Sequence, residues 1–172
     1  MDYTLPSDIF SLTPGKRWIY TAGAFIFTRE IEMMVMDKRA GQCLLKFSSG
    51  DIKGSAILQC DVDLSLIAAS KEEVETLDDI STFEATPKIE ILKSPVIAGT
   101  SWESMLGTFK IEDTNYKLKF GKKIYTGLIY MRLKDTSNAY NDIYIKPGIG
   151  IIFASVFIDG FGKVSVSLRY HN

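Results

Sequence analysis

Histidine and cysteine are scarce in this sequence, and their scarcity restricts the chemistry that the chain can support. Among 172 residues there are one histidine, His171, and two cysteines, Cys43 and Cys60. Zinc sites ordinarily draw three or four ligands from cysteine, histidine and carboxylate groups, so no Cys/His metal cluster can be assembled. A serine or cysteine nucleophile needs a base within hydrogen-bond reach, and the only imidazole belongs to the penultimate residue. We therefore expect no metal site and no nucleophilic active site.

The sequence also lacks the glycine-rich loops that bind phosphates and dinucleotides, and the Gly-x-Ser-x-Gly turn of serine hydrolases. Asp61, Asp63 and Glu72 imitate part of a calcium-binding EF-hand loop, but Leu66 stands where that loop requires glycine. We predict no catalytic, cofactor-binding or metal-binding residues and interpret the chain as a non-enzyme. A hydrolase that pairs two of the 21 acidic side chains is the alternative.

Neither an excess of one charge nor a long apolar run is present. Lys and Arg total 20 against 21 Asp and Glu, for a net charge of −1, which argues against a general nucleic-acid or anionic-membrane binder. Between Tyr116 and Tyr125 lysines alternate with aromatic residues, but a strand would separate the two kinds on opposite faces. No run approaches the roughly 18 apolar residues that span a bilayer. We expect no nucleic-acid partner and no transmembrane segment.

The first eight residues are acidic and polar, and they lack the basic start and apolar stretch of a secretory signal. Two interpretations remain open from the sequence. The protein is cytoplasmic, or it is extracytoplasmic and its signal peptide has been removed.

What the sequence does contain is the pattern of a strand-rich folded domain. Its composition is 46% hydrophobic and 12% aromatic, and its length predicts a single domain over residues 1–172. Period-two alternation and a hairpin signal at residues 159–162 predict an all-β fold, either a single antiparallel β-sandwich or an open, strongly curved barrel with at most one short helix. The predicted strands are 17–21, 25–35, 42–48, 55–68, 108–112, 116–120, 124–133, 142–146, 149–158 and 163–170.

The one candidate helix covers residues 70–77, where Ser70 and Glu73 fit a capping box. The segment has few apolar residues and begins an acidic run to residue 84, so a solvated acidic loop is the alternative. For the core we expect large aromatic side chains, namely Trp18, Phe25, Phe27, Trp102, Phe153 and Phe157.

Both cysteines alternate with apolar residues, Cys43 with Leu45 and Cys60 with Leu58. Alternation places the two thiols on the apolar face of their strands, and we expect two buried free thiols. A disulfide is the alternative, because the glycines at 50 and 54 suggest a turn that brings the two strands together.

A short pattern occurs twice, 84 residues apart. An apolar residue, a glycine three positions later and a tryptophan three further on occur at Leu12-Gly15-Trp18 and again at Val96-Gly99-Trp102. A turn that needs glycine, followed by a strand anchored by tryptophan, explains the spacing. The repeat suggests related halves at about residues 10–92 and 93–172.

The first of these segments resembles the F-x-L-x-x-G-x-x-W-x-Y opening of uncharacterised bacterial secreted or lipoprotein β domains. It runs from Phe10 to Tyr20, and Pro95, Gly99 and Trp102 resemble the P-x-x-x-G-x-x-W segment of the same domains. Residues 125–130 and 144–152 resemble their later strand motifs. The resemblance implies an all-β domain of the cell envelope and supplies no catalytic residues.

From these observations we predict a non-catalytic binding or scaffold domain of the bacterial envelope. Its partner would be a protein, a lipid or a glycan. A curved sheet lined by Met33, Met131, Tyr130 and phenylalanines could instead shelter a small apolar ligand, and the simpler interpretation is that these residues are only core. We expect His171 to be an ordinary surface residue, because alternation places it on the polar face of the last strand.

Overall fold

The computed structural model describes residues 6–24, 27–159 and 162–172. One short helix precedes twelve strands. The elements are α1 (Pro6–Phe10), β1 (Arg17–Ala24), β2 (Phe27–Arg39), β3 (Gln42–Ser49), β4 (Ile52–Cys60), β5 (Leu64–Ser70), β6 (Glu84–Leu92), β7 (Ser101–Ser104), β8 (Gly107–Phe120), β9 (Lys123–Asp135), β10 (Tyr140–Lys146), β11 (Gly150–Ile158) and β12 (Gly162–His171).

All twelve strands belong to one antiparallel sheet that forms a nearly closed barrel. The strand order is β6-β5-β4-β3-β2-β1-β12-β11-β10-β9-β8-β7, so two six-stranded meanders are joined where β1 pairs with β12, with Trp18 opposite His171 and Gly23 opposite Ser165. The outermost strands β6 and β7 meet through the Trp102 indole, whose Nε1 donates to the Glu90 carbonyl at 3.1 Å. The all-β prediction is confirmed, and of its two architectures the barrel is the one that forms.

The helix end of the barrel, which carries α1 and the turns at 40–41, 61–63 and 147–149, is closed. Ile9 and Leu12 are buried there, and the Ile9 carbonyl accepts a hydrogen bond of 2.9 Å from the Gly148 N–H. Trp18 Nε1 donates to the Ile149 carbonyl at 2.6 Å. At the opposite end, which we call the far end, lie the turns at 50–51, 105–106 and 136–139.

The two Gly-x-x-Trp segments adopt the same local structure. The Gly15 N–H donates to the Val35 carbonyl at 2.8 Å, and Val35 N–H donates back to Lys16 at 2.8 Å. In the second segment Gly99 donates to Ile111 at 2.7 Å and Ile111 donates to Thr100 at 2.8 Å. Both glycines have positive φ, 85° and 94°, which explains why glycine is needed. The relation between the halves 10–92 and 93–172 and the single-domain assignment stay predictions.

Residues 70–77 do not form the candidate helix. Residues 71–83 instead form a strap of turns and irregular backbone over the outer face of the sheet, where Val74 is buried against Leu44 and Ile57. Ser55 Oγ, itself buried, accepts a hydrogen bond from the Val74 N–H at 2.8 Å. The acidic-loop alternative was therefore the better one, because two apolar anchors suffice for a strap and are too few for an amphipathic helix.

The acidic residues of the strap are partly paired rather than only solvated. Glu73, Glu75 and Asp78 approach Lys53, Lys46 and Arg39 at 3.5, 3.1 and 2.7 Å. The Leu77 N–H donates to Asp37 at 3.0 Å, and this bond lowers the pKa of the Asp37 carboxyl below its usual value.

The predicted strand 55–68 was wrong as a single element. It is two strands, β4 and β5, separated by a turn at residues 61–63. Asp63 Oδ1 stabilises this turn by accepting the Ser94 N–H at 2.7 Å, and Ser65, near the start of β5, is buried. The turn has neither glycine nor proline, so no local signal marked it. Strands β6 and β7 and helix α1 were also not predicted.

The aromatic core was only partly predicted correctly. Trp18 and Trp102 are buried, Phe27 is partly exposed and Phe25 lies outside the described residues. Phe157 is 45% exposed. Phe153 packs on the outer face of the barrel, 5.0 Å from the Phe120 ring between centroids. The interior core is mostly aliphatic.

Both cysteines are buried and free, as expected. Cys60 Sγ lies 3.2 Å from the Gly41 carbonyl oxygen, to which it donates. Burial raises the pKa of the Cys43 thiol to about 12 and also raises that of Cys60, so both stay protonated at neutral pH.

We expect Trp18→Ala and Trp102→Ala each to lower the free energy of unfolding by about 3–5 kcal/mol, because each removes a buried ring and leaves a cavity. Each also leaves one backbone carbonyl without its indole donor. Denaturant melts measure the change. Nearly neutral substitutions would contradict the anchoring role.

We expect neither thiol to react with a disulfide reagent such as Ellman's reagent at pH 8 while the protein is folded, since the reactive thiolate is disfavoured and the sulfur is covered. In guanidinium without reductant both should react. Absence of reaction after unfolding would indicate the disulfide alternative.

Between the unfolded thiol pKa, about 8.5, and pH 12, unfolding releases thiol protons, so the free energy of unfolding should fall as the pH rises.

Candidate functional site

An apolar cavity of about 430 Å³ lies inside the barrel. Its volume falls in the range of roughly 300–1,000 Å³ that is common for small-molecule sites. The side chains that line it come from the end of α1, from the segment after it and from both meanders. They are Phe10, Leu12, Trp18, Tyr20, Ile31, Met33, Leu45, Ala56, Leu58, Leu64, Leu66, Ile91, Ile143, Ile151, Ala154, Val156 and Val166.

The cavity exists because the two sides of the barrel are filled differently. Towards β7, β8 and β9 the interior is occupied by large side chains, with Trp102 stacked on Phe109 at 5.2 Å between ring centroids and Met131 fully buried beside them. On the opposite side the inward positions include the small residues Ala56 and Ala154. A twelve-stranded barrel is wider than the roughly eight-stranded one that side chains alone fill, so this side retains space.

The exposure of the inward-facing rows increases from the helix end to the far end. On β4, Leu58 and Cys60 are buried while Ile52, six residues from Leu58 on the same face, is 58% exposed. On β11, Ala154 is buried and Ile158 is 43% exposed. Phe10 and Leu12 form the floor at the closed helix end. The barrel interior therefore becomes accessible to solvent towards the far end.

Of the described side chains that line the cavity, only two carry a nitrogen or oxygen, and they differ in hydrogen bonding. Trp18 Nε1 is occupied by the Ile149 carbonyl at 2.6 Å. The Tyr20 hydroxyl has no hydrogen-bond partner among residues 6–24, 27–159 and 162–172, although Tyr20 is only 6% exposed. Burial raises the pKa of this phenol above its ordinary value, so it is a neutral donor.

The structure places the residues predicted to line an apolar site in different environments. Met33 lines the cavity, whereas Met131 belongs to the filled side. Tyr130 lies on the outer face, where its ring stacks on Tyr144 at 4.9 Å between centroids and its hydroxyl donates to Asp142 at 2.8 Å. That assignment of Tyr130 was wrong, since β9 presents it on the opposite side from Met131.

Tyr20 and Ala56 are among the cavity residues that sequence reasoning missed. Tyr20 lies two residues after the anchoring Trp18, so alternation alone could have placed it inside. Nothing local distinguishes Ala56 from the alanines at the surface.

The other candidate residues lie apart from the cavity. His171 is exposed on β12, as predicted. Asp61 and Asp63 belong to the turn between β4 and β5. Within the described part of the chain, no three His, Cys, Asp or Glu side chains are grouped so that they could hold a metal ion. Nor does any helix there have the length and hydropathy needed to cross a membrane.

Comparison with known proteins identifies a shared fold. No protein-family model matches the sequence, and no curated protein matches it. Solved structures do match, among them two bacterial proteins. A "putative exported protein with YmcC-like fold" from Bacteroides fragilis has a TM-score of 0.52 and 10% identity, covering 95% of this chain and 98% of its own. A "putative lipoprotein" from Parabacteroides distasonis has a TM-score of 0.53 and 11% identity, covering 100% of both chains. The chain shares the barrel fold of these proteins over nearly its whole length.

Proposed function

We propose that this chain is a non-catalytic binding protein of the bacterial cell envelope and that its ligand is an apolar molecule held in the barrel cavity. The cavity itself is the observation that carries the proposal. Apolar cavities of about 150 Å³ already stay dry and bind hydrocarbon guests, and this one is about 430 Å³. An apolar space of that size leaves its lining side chains without packing partners in the empty protein, and an apolar guest supplies the missing contacts.

The envelope location is supported by the two proteins that share the fold. One is described as an exported protein and the other as a lipoprotein, and both agree with the resemblance of Phe10–Tyr20 to secreted and lipoprotein domains. Fractionation of the source bacterium tests the location. Recovery in the membrane or periplasmic fraction is expected, and recovery in the cytoplasm would contradict it.

The absence of catalysis is the second part of the proposal. None of the described side chains that line the cavity carries a carboxylate, so the space that could admit a substrate has no acid–base pair. His171 lies opposite Trp18 at the helix end of the barrel, away from the accessible far end. The hydrolase alternative would require carboxylates outside the cavity.

We expect the wild-type protein to increase the fluorescence of N-phenyl-1-naphthylamine, a neutral apolar probe, by binding it in the cavity. Ala56→Leu should weaken binding roughly tenfold or more, a loss of about 1.4 kcal/mol, because the larger side chain occupies the space. The stability of the empty variant should stay equal or rise, since the added carbons fill a void.

Ala98→Leu is the matched control, because Ala98 is exposed in the turn before β7. It should bind the probe as the wild type does. Equal binding by Ala56→Leu would show that the probe sits elsewhere, for example on the exposed apolar side chains of the far end, and would refute the cavity as the site.

We expect no turnover of generic ester, phosphate or glycoside substrates by the purified protein. His171→Ala serves as the comparison. Turnover that disappears in this variant would overturn the non-catalytic proposal, and turnover that persists in it would favour the carboxylate hydrolase.

A further inference from the structure

The Tyr20 hydroxyl has no hydrogen-bond partner in the described chain, and Tyr20, which is only 6% exposed, lines the cavity. Buried side-chain polar atoms nearly always have a hydrogen-bond partner, and an unsatisfied one destabilises the protein. The neighbouring Trp18 N–H does have its partner, the Ile149 carbonyl. Among the described residues, the fully covered polar side-chain atoms that lack a partner are Ser65 Oγ and Thr86 Oγ1. The Tyr20 oxygen is not one of them, so it opens to the cavity, where it can donate to a ligand that carries an acceptor.

Arg29 interrupts the apolar inward row of β2 one inward position beyond the cavity. Ile31 lies opposite Tyr20 and Arg29 lies opposite Ala22 in the β1–β2 ladder, so the two positions are separated by about 7 Å along the strand, towards the far end. Arg29 is exposed. It shares a surface depression with Glu30 and Asp51, but no ion pair joins Arg29 to any carboxylate of the described residues.

These placements order three chemical environments along one axis. Phe10 and Leu12 form an apolar floor, Tyr20 offers a hydroxyl donor in the apolar wall, and Arg29 adds a positive charge where the interior reaches solvent. A long apolar chain with an oxygen-bearing, negatively charged end matches that order. A cation, a polyol or a ligand without an acceptor does not match it.

We infer that the cavity takes a single acyl chain whose terminal carboxylate accepts a hydrogen bond from the Tyr20 hydroxyl and pairs with Arg29 at the far end. This inference rests on the proposed function and names the ligand class for the same site. An acyl ester of a lipid presents the same carbonyl acceptor without the charge, so the experiment separates the two sources.

Displacement of N-phenyl-1-naphthylamine by dodecanoate and by methyl dodecanoate tests the inference. Tyr20→Phe should weaken binding of both ligands roughly three- to tenfold, the range of one neutral hydrogen bond, and leave the affinity for the probe unchanged. Arg29→Gln should weaken dodecanoate alone, and added salt should reduce that difference. Tyr170→Phe, at an exposed tyrosine, should change neither ligand.

A second readout separates ligand binding from a structural role. Tyr20→Phe should leave the melting temperature of the empty protein equal or higher, because the hydroxyl makes no hydrogen bond to the described part of the chain. A structural hydroxyl would instead lower it when removed.

The inference is overturned if Tyr20→Phe binds both ligands as tightly as the wild type, or if Arg29→Gln leaves dodecanoate binding unchanged. Tighter binding of the ester than of the carboxylate would also overturn it, in favour of a neutral lipid. In each of these cases probe binding by the wild type would leave the proposed function standing. Failure of the wild type to bind the probe would refute the proposed function itself.

Discussion

The pairing of the first strand with the last is the interaction on which the rest of the structure depends. β1 lies between β2 and β12, and its ladder with β12 joins residues about 150 positions apart, such as Trp18 and His171. Without this ladder the chain would be two separate six-stranded meanders, each with open edges and an unburied apolar face. Every other ladder joins strands that are neighbours in sequence. The β1–β12 ladder therefore turns local hairpins into one enclosed interior.

The opposite side of the barrel is joined much more lightly. β6 and β7 are the edges of the sheet, and the described contact between them is the bond from the Trp102 indole to the Glu90 carbonyl. The two tryptophans thus perform related tasks: each indole fills interior volume and donates to a backbone carbonyl on another part of the barrel wall. Large amphipathic rings suit this position because burial and one directed hydrogen bond come from the same side chain.

The width of the barrel links its stability to its proposed function. Twelve strands enclose more space than their side chains fill, and the side chains of β7, β8 and β9 fill one side only. The remaining cavity lies between a closed floor at the helix end and an accessible far end. The side chains that line the cavity therefore stabilise the fold through their burial, but their incomplete packing limits that stability. Tyr20 is the clearest example, because its ring is buried while its hydroxyl makes no hydrogen bond to the described residues.

Local patterns were sufficient to predict strand type, the two tryptophan anchors and the buried thiols. Each of these depends on a short-range periodicity or on a turn that requires glycine at Gly15 and Gly99. Local patterns were insufficient to predict which side chains face the interior where both faces of a strand are apolar. On β11 an irregularity in the β10–β11 ladder occurs between Ile151 and Phe153, and it decides that Ala154 faces the cavity while Phe153 packs outside. A shift of one residue reverses every side chain.

The amino-acid sequence thus determined by itself that the chain is an antiparallel β protein, because alternation is a property of each strand alone. Its composition also supplies one imidazole and two thiols, too few for a Cys/His zinc cluster. Only the tertiary structure decided that β1 pairs with β12 to make one sheet, that the strap of residues 71–83 covers its outer face, and that Tyr20 lines a cavity with its hydroxyl unpaired among the described residues. These features depend on which strands meet across long stretches of chain, and no local pattern encodes how completely distant side chains fill the space between them.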